Sequence, residues 1–457
     1  MIKRTLMQVQ EMAKGHGLAA RYEDTVITGV STDSRKVGKG SLFIPLKGEN
    51  FNGHLYAQKA LDEGAAAVLW GESEENPPEN APVILVKDTL HALQQLAKSY
   101  KEQLRVKAIG ITGSNGKTTA KDLTAAVLST GFRVYKTQGN FNNHIGLPLT
   151  LLSMPETTEI AVLEMGMSAF GEIELLSKIA EPDAAIITNI GESHMAELGS
   201  REGIADAKME IVKGMKPGGQ FIYFGDEPLL KERTEALRFS TKPVTFGKSA
   251  ANGYYPTNIE QTDKGVTFSA HPFQDALFIP VLGEHNVWNA LAAAAAGQYF
   301  GLTEDQIKEG LEGLQMTAMR LELSKSEQGW SVINDAYNAS PTSMLAAIKL
   351  MEDLTGYKRK IAVLGDMLEL GESEAEFHRG VGEKIHSDKI DYVFTFGKLG
   401  EEIAAGAKAN FAEGMVKSFT DKSALISELK SLVQKDDLLL VKASRGMKLE
   451  EVVAALV

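Results

Sequence analysis

The segment Thr112-Gly113-Ser114-Asn115-Gly116-Lys117-Thr118-Thr119 holds the residue types that cradle a triphosphate. Gly113 and Gly116 let the backbone turn tightly, so that successive N–H groups face phosphate oxygens. Lys117 supplies a mobile point charge for the β- and γ-phosphates, and the Thr118 hydroxyl is of the kind that ligates Mg²⁺. The run departs from the usual phosphate-loop spacing, because the place five residues before Gly116 is Ile111 and not glycine. Val106 to Thr112 reads as a buried strand and the residues from Ala120 as a helix. The loop therefore sits at a helix N-terminus, whose dipole favours anions. This chemistry specifies a nucleoside triphosphate but no particular reaction.

Two further residues follow apolar, strand-like runs. Glu164 ends Ile160-Ala161-Val162-Leu163-Glu164, and His194 comes soon after Ala184-Ala185-Ile186-Ile187-Thr188. Both positions fall at the carboxyl edge of a parallel sheet, where ligands gather. Mg²⁺ prefers oxygen donors, so Glu164 suits it better than His194 does. Lys208, in the helical run Ile204 to Glu210, reads from spacing alone as a solvated surface charge.

The elements that must position these side chains alternate strand-like and helix-like through the chain, which points to α/β domains with largely parallel sheets. At 457 residues the chain needs several cores. Three blocks are expected: 1–105, a small α/β domain; 106–318, a central phosphate-loop domain; and 319–457, a Rossmann-like domain. The composition, 43 % hydrophobic and 24 % charged, is that of a globular protein. A net charge of −12 argues against a general nucleic-acid binder. The absence of cysteine removes disulfides, thiolate nucleophiles and cysteine–zinc sites. The basic start, Met1 to Gln8, has no apolar run behind it, and no stretch is long enough to span a bilayer. A cytoplasmic protein without membrane insertion is the expectation.

Taken together, these residues resemble the Mur ligase superfamily, and the resemblance covers nearly the whole chain. The shortened loop looks like that family's ATP loop, and it implies ATP and Mg²⁺ as cofactors. Thr118, Glu164 and His194 then fall on the family's metal site. Lys208 stands where the family carries a carbamylated lysine, and Lys117, His194 and Lys208 become the catalytic candidates. Gly283-Glu284-His285-Asn286-Val287-Trp288-Asn289 resembles the family's Gly-x-His-Asn-x-x-Asn segment, which places Asn286 near adenine. Arg320 corresponds to an arginine reaching the ATP phosphates, and Asp335 to the aspartate that opens the third domain.

Three segments look like the branch that adds D-alanyl-D-alanine to a UDP-muramoyl tripeptide. They are Gly139 to Pro148, Asp335 to Pro341, and Leu364 to Gly371, with Ser340 where that branch usually has asparagine. The resemblance implies substrate contacts from Asn140, Asn142, Asn143, Tyr337 and Asn338. It also implies a uridine-diphosphate region around Ser31, Ser34 and Arg35 and the run Gly48 to His54. Lys442 to Met447 forms a basic, serine-containing turn able to hold a carboxylate. The implied reaction joins the dipeptide to the tripeptide nucleotide through an acyl phosphate, in a monomer. The alternatives at this point are another muramoyl ligase, a folylpolyglutamate synthase-like ligase, or a phosphate-loop switch ATPase that performs no ligation.

Overall fold

A computed structural model of the chain describes residues 1–317 and 319–457. The boundary residue Ala318 lies outside the described residues. The first block builds a four-stranded parallel sheet in the order β1 (Val30–Ser31), β2 (Leu42–Phe43), β3 (Ala67–Gly71) and β4 (Val83–Val86). Within this block β2 is only two residues long, and the chain beyond it forms a 3₁₀ turn, Gly53–Tyr56, followed by a helix, Ala57–Asp62.

A long helix, α1 (Thr89–Leu104), leads out of this sheet. Asp88 caps it by accepting the His91 N–H at 2.6 Å. Its apolar face lies against the central block: the Tyr100 hydroxyl donates to Met154 O at 3.0 Å and Gln94 Nε2 to His144 O at 3.1 Å. One buried apolar cluster accordingly runs from Ile2 through Leu147 to Leu230. The first two blocks share a core across the expected boundary between residues 105 and 106.

The central sheet is six parallel strands. In chain order they are β5 (Lys107–Thr112), β6 (Val134–Lys136), β7 (Ile160–Glu164), β8 (Ala184–Ile187), β9 (Gln220–Phe224) and β10 (Val244–Phe246). In space they run β6-β7-β5-β8-β9-β10. Residues of β7 and β8 are buried throughout, as expected of strands covered on both faces. The order reverses around β5, so the chain departs to opposite sides there and leaves a crevice at the strand ends. The helix following β5, α2 (Lys117–Ser129), starts in that crevice, and α3 (Arg201–Met209) follows β8. A three-stranded antiparallel sheet, β11 (Tyr255–Thr262), β12 (Gly265–His271) and β13 (Leu277–Ile279), extends the central block before α4 (His285–Tyr299). The sequence analysis did not anticipate this sheet.

The third block holds a mixed six-stranded sheet made of β14 (Glu322–Lys325), β15 (Ser331–Asp335), β16 (Arg359–Gly365), β17 (Tyr392–Phe396), β18 (Val416–Phe419) and β19 (Asp437–Lys442). The spatial order is β14-β15-β19-β16-β17-β18, parallel except for the antiparallel edge strand β14. Ser340 and Pro341 start the helix α5 (Pro341–Asp353): the serine hydroxyl caps it, and proline at its first position has no N–H to waste.

Candidate active site

The turn between β5 and α2 is braced from the neighbouring strand exit. Thr188 Oγ1 donates to Asn115 O at 2.6 Å and Asn189 Nδ2 to the same carbonyl at 2.9 Å. The Asn115 N–H donates to Asn189 Oδ1 at 3.0 Å, and the Gly191 N–H to Ser114 Oγ at 2.8 Å. Gly113 has φ +150°, and a Cβ there would lie 1.9 Å from Thr188 Oγ1, so glycine is obligatory. Gly116, at φ +79°, presses on Asn289, whose Oδ1 would be 2.7 Å from an added Cβ. The first intrahelical bond of α2 runs from Ala120 N to Gly116 O, so the N–H groups of Lys117, Thr118 and Thr119 lie ahead of it. Lys117 Nζ folds back on the loop, donating to Gly113 O at 2.7 Å and Ser114 O at 3.2 Å. Burial lowers its pKa and Arg320 adds to that effect, while Glu164 opposes it.

A cavity of about 320 Å³ opens beside this loop and is walled by both the central and third blocks. Lys117, Thr118, Asn286, Arg320, Asp335 and Asn338 all line it. Lining residues missed as individual positions include Lys248, whose ammonium lies 5.6 Å from the Trp288 ring centroid, Asn289, and Lys442. Asn289 Nδ2 donates to Asn286 Oδ1 at 3.0 Å, and Asn286 Nδ2 to Leu282 O at 2.7 Å. Lys442 Nζ sits 2.5 Å from Asp335 Oδ2 and donates to Asn338 O at 3.0 Å. The last residues of the adjacent parallel strands β15 and β19 are thus paired, and only their tertiary register signals it. His285 is pushed down to about 4 by burial, which outweighs the attraction of Asp335, so it enters the cavity wall neutral.

Glu164, at the end of β7, is 3 % exposed. Its Oε1 accepts from Asn142 Nδ2 at 2.9 Å, whereas Oε2 has no hydrogen-bond partner. An orphaned buried carboxylate oxygen beside the Thr118 and Lys117 turn fits a hard cation. Among the described residues no three His, Cys, Asp or Glu side chains converge on one point. The donor set therefore fits Mg²⁺, which takes one or two carboxylates plus phosphate oxygens, better than a metal needing an all-protein cage. His194 adopts a left-handed backbone, φ 65° and ψ 29°, and its Nδ1 lies 3.0 Å from Glu369 Oε2 of the third block.

The surface reading of Lys208 is overturned. It lies in the last turn of α3 at 1 % exposure. Burial, followed by the nearby charge of Lys117, holds its pKa well below the ordinary lysine range, and no acidic group offsets this. Helical periodicity places Lys208 on the inward face with Ile204 and Ala205; the surface reading comes from its residue type, since lysine is seldom buried without a partner.

The remaining candidates fall in three places. Asn140 and Asn143 shape the loop that presents Asn142: Asn140 O accepts from Asn142 N at 2.7 Å, and Asn143 Oδ1 from Gly146 N at 2.8 Å. Tyr337 lies near two guanidinium groups, with Arg320 at 4.0 Å and Arg445 at 6.0 Å from its centroid. Ser31, Ser34 and Arg35 lie at and just beyond β1; Ser31 Oγ donates to Asp33 O at 2.9 Å. Arg35 grips Asp33 at 2.9 Å and holds that carboxyl at about 2. The third block reaches the central one through Arg320 Nη2 to Thr118 Oγ1 at 3.3 Å, Ser340 Oγ to Asn115 Oδ1 at 3.1 Å and Thr342 Oγ1 to Glu192 Oε2 at 2.7 Å. Ser340 thus caps α5 and touches the phosphate loop at once, which accounts for a serine there.

Comparison with known proteins agrees with this geometry. Residues 26–101 match the model of the Mur ligase family catalytic domain, 111–297 the Mur ligase middle domain, and 319–445 the Mur ligase glutamate ligase domain. The chain is 57 % identical over 457 residues to the UDP-N-acetylmuramoyl-tripeptide–D-alanyl-D-alanine ligase of Bacillus subtilis (strain 168), covering all of this chain and 99 % of that protein. It belongs to the Mur ligase family. The ligase of the same name from Escherichia coli (strain K12) is 36 % identical over 461 residues, covering 100 % and 99 % of the two chains. Among solved Mur ligases, MurF from Acinetobacter baumannii superposes with a TM-score of 0.89 at 31 % identity, covering 100 % and 99 %. MurF from Thermotoga maritima in complex with ADP gives a TM-score of 0.82 at 29 % identity, covering 94 % and 96 %.

Proposed function

We propose that this Mur ligase joins D-alanyl-D-alanine to UDP-N-acetylmuramoyl-tripeptide at the expense of ATP, a step of peptidoglycan precursor synthesis. The observation that carries the reading is the braced loop Thr112 to Thr119, opening onto a cavity closed by Arg320, Asp335 and Lys442 from the third block. Likeness to the ligases above selects the substrates.

A carboxylate does not acylate an amine at neutral pH, since hydroxide leaves poorly. Transfer of the γ-phosphoryl group to the tripeptide carboxylate gives an acyl phosphate. The free amine of the dipeptide then attacks the acyl carbon, and the tetrahedral intermediate expels phosphate. Lys117, released from the Gly113 and Ser114 carbonyls, and the three open N–H groups of α2 stabilise charge on the transferring phosphoryl. Arg320, beside Thr118, approaches the same phosphates. Asn286 and Asn289 face the base end of the cavity. Thr118, Glu164, His194 and Lys208 are the residues that would hold Mg²⁺, which neutralises phosphate and carboxylate charge and so lets the two anions meet.

Lys208 enters this set as a carbamate. Its neutral amine adds to CO₂, forming an N–C bond and releasing one proton, and the cation becomes an oxygen donor. The ordinary ammonium would repel both Lys117 and a metal. Asn140, Asn142, Asn143, Tyr337 and Asn338 are assigned to the peptide end of the substrates, and Ser31, Ser34 and Arg35 to the uridine diphosphate. The reading is completed by a monomeric enzyme, and the ATP requirement suits a cytoplasmic one. No helix among the described residues is long and apolar enough to cross a membrane.

The test is a co-substrate panel scored by product mass and phosphate release. Release should require both the tripeptide nucleotide and the dipeptide, and Lys117→Ala should abolish it while the circular-dichroism spectrum is unchanged. Hydrolysis indifferent to both co-substrates would favour a switch ATPase instead.

A further inference from the structure

The segment joining the second and third blocks is held at two points by one face of α2. Thr118 and Asp122 are four residues apart on that helix and so share a face. Thr118 Oγ1 accepts from Arg320 Nη2 at 3.3 Å. One turn further on, Asp122 Oδ2 accepts both the Thr317 N–H at 2.9 Å and the Thr317 hydroxyl at 2.7 Å. Asp122 is 1 % exposed, and its other oxygen is gripped by Lys136 Nζ at 2.6 Å and Lys121 Nζ at 3.4 Å. Lys121, itself 1 % exposed, lies 4.0 Å from Glu164 Oε2. Burial alone would raise the Asp122 pKa, but the two lysines and Thr317 outweigh it and hold the carboxylate ionised.

The backbone changes character just beyond this anchor. Met319 has φ 62° and Leu321 φ 51°, left-handed values that side-chain-bearing residues rarely adopt, and they flank Arg320 on both sides. Such conformations persist only where the surroundings impose them. Upstream, Asp122 fixes Thr317; downstream, β14 begins at Glu322, and the Arg320 guanidinium between them lies 4.0 Å from the Tyr337 ring centroid. A hinge absorbs rotation at a few residues between fixed ends, and here those residues are 319–321.

We propose that Asp122 is a positioning residue that pins the hinge at Thr317, so that movement of the third block pivots around Arg320 and delivers its guanidinium to the phosphates at Thr118. The same carboxylate links the hinge, through Lys121, to the metal-facing oxygen of Glu164. This rests on the loop Thr112 to Thr119 being the ATP seat, and it adds a residue that touches neither nucleotide nor peptide.

The experiment compares Asp122→Asn, Thr317→Val, Arg320→Ala and the double variant Asp122→Asn/Arg320→Ala, with ADP binding followed by calorimetry and kcat by phosphate release. Asp122→Asn should lower kcat by about 10²-fold, as a small misplacement near the chemistry does, with KM for the tripeptide nucleotide within about twofold of the parent. Thr317→Val, which removes one hydrogen bond without disturbing the buried lysines, should lower kcat by about fivefold. If Asp122 acts through Arg320, the double variant falls no further than Arg320→Ala alone. Multiplying losses in the double variant would overturn the proposal, as would parental kcat in both Asp122→Asn and Thr317→Val. Failure of the ATP-seat reading looks different: the parent itself would not bind ADP, or Lys117→Ala would bind and turn over normally.

Discussion

Lys208 is the residue at which function and stability should separate most clearly. A fully buried amine with only a like charge nearby costs the fold free energy. Replacing it with methionine keeps most of the unbranched side chain and removes that cost. In buffer stripped of CO₂ and bicarbonate, Lys208→Met should therefore be more stable than the parent. The sign with pH follows from the depressed folded pKa. Between that value and about 10.4, the ordinary lysine value, the unfolded chain binds one more proton than the native one. Parent stability therefore rises with pH across that window by about 1.4 kcal/mol per unit, and the advantage of Lys208→Met shrinks at the same rate.

Activity should move the other way. Loss of an oxygen ligand that would hold Mg²⁺ beside the transferring phosphoryl should cost about 10²–10³-fold in kcat. Lys208→Ala removes the stem as well and leaves room where formate or acetate can stand in for the carbamate. Urea denaturation at several pH values, turnover with and without added formate or acetate, and a ¹³C NMR carbamate signal from ¹³C-bicarbonate measure the three parts. A Lys208→Met protein that is less stable than the parent at every pH, together with full activity in Lys208→Ala without rescue, would refute the reasoning.

Other outcomes follow from the same structure. Lys101, 2 % exposed, is lowered to about 8 by burial and by Lys216, against the pull of Glu181 and Asp183. The penalty is fully present below about pH 8 and fades as pH rises toward 10.5. Lys101→Met should gain up to ~3 kcal/mol at pH 7 and less than ~1 kcal/mol at pH 10, read by urea denaturation. Lys442→Met strands Asp335 in a buried site, side chains 3 % and 11 % exposed, and should cost about 3–5 kcal/mol. Adding Asp335→Asn should return most of that loss, and strict additivity of the two substitutions would contradict the buried pair. Gly113→Ala sets a Cβ against Thr188 Oγ1 and should weaken ADP binding at least about tenfold by calorimetry, with secondary structure retained.

The chemistry of the phosphate loop was legible in the chain because its signal is local. Glycines at Gly113 and Gly116, a lysine and two threonines between a strand and a helix form one turn, whose phosphate-facing groups are contiguous in the chain. The parallel sheets were legible for a related reason: runs such as Ile160 to Glu164 are apolar throughout, as only strands covered on both faces need to be. The antiparallel sheet over residues 255–279 was not, since half-exposed strands with a weak alternation resemble loops. What the tertiary structure alone decided are the pairings across long chain separations. Asp335 with Lys442, Asp122 with Thr317, and Ser340 with Asn115 depend on register and domain contact, which no periodicity encodes. Lys208 is the clearest case. A lysine on a helix is polar by composition and surface-exposed by habit, and only the packing of α3 against the central block takes it out of water and changes its chemistry.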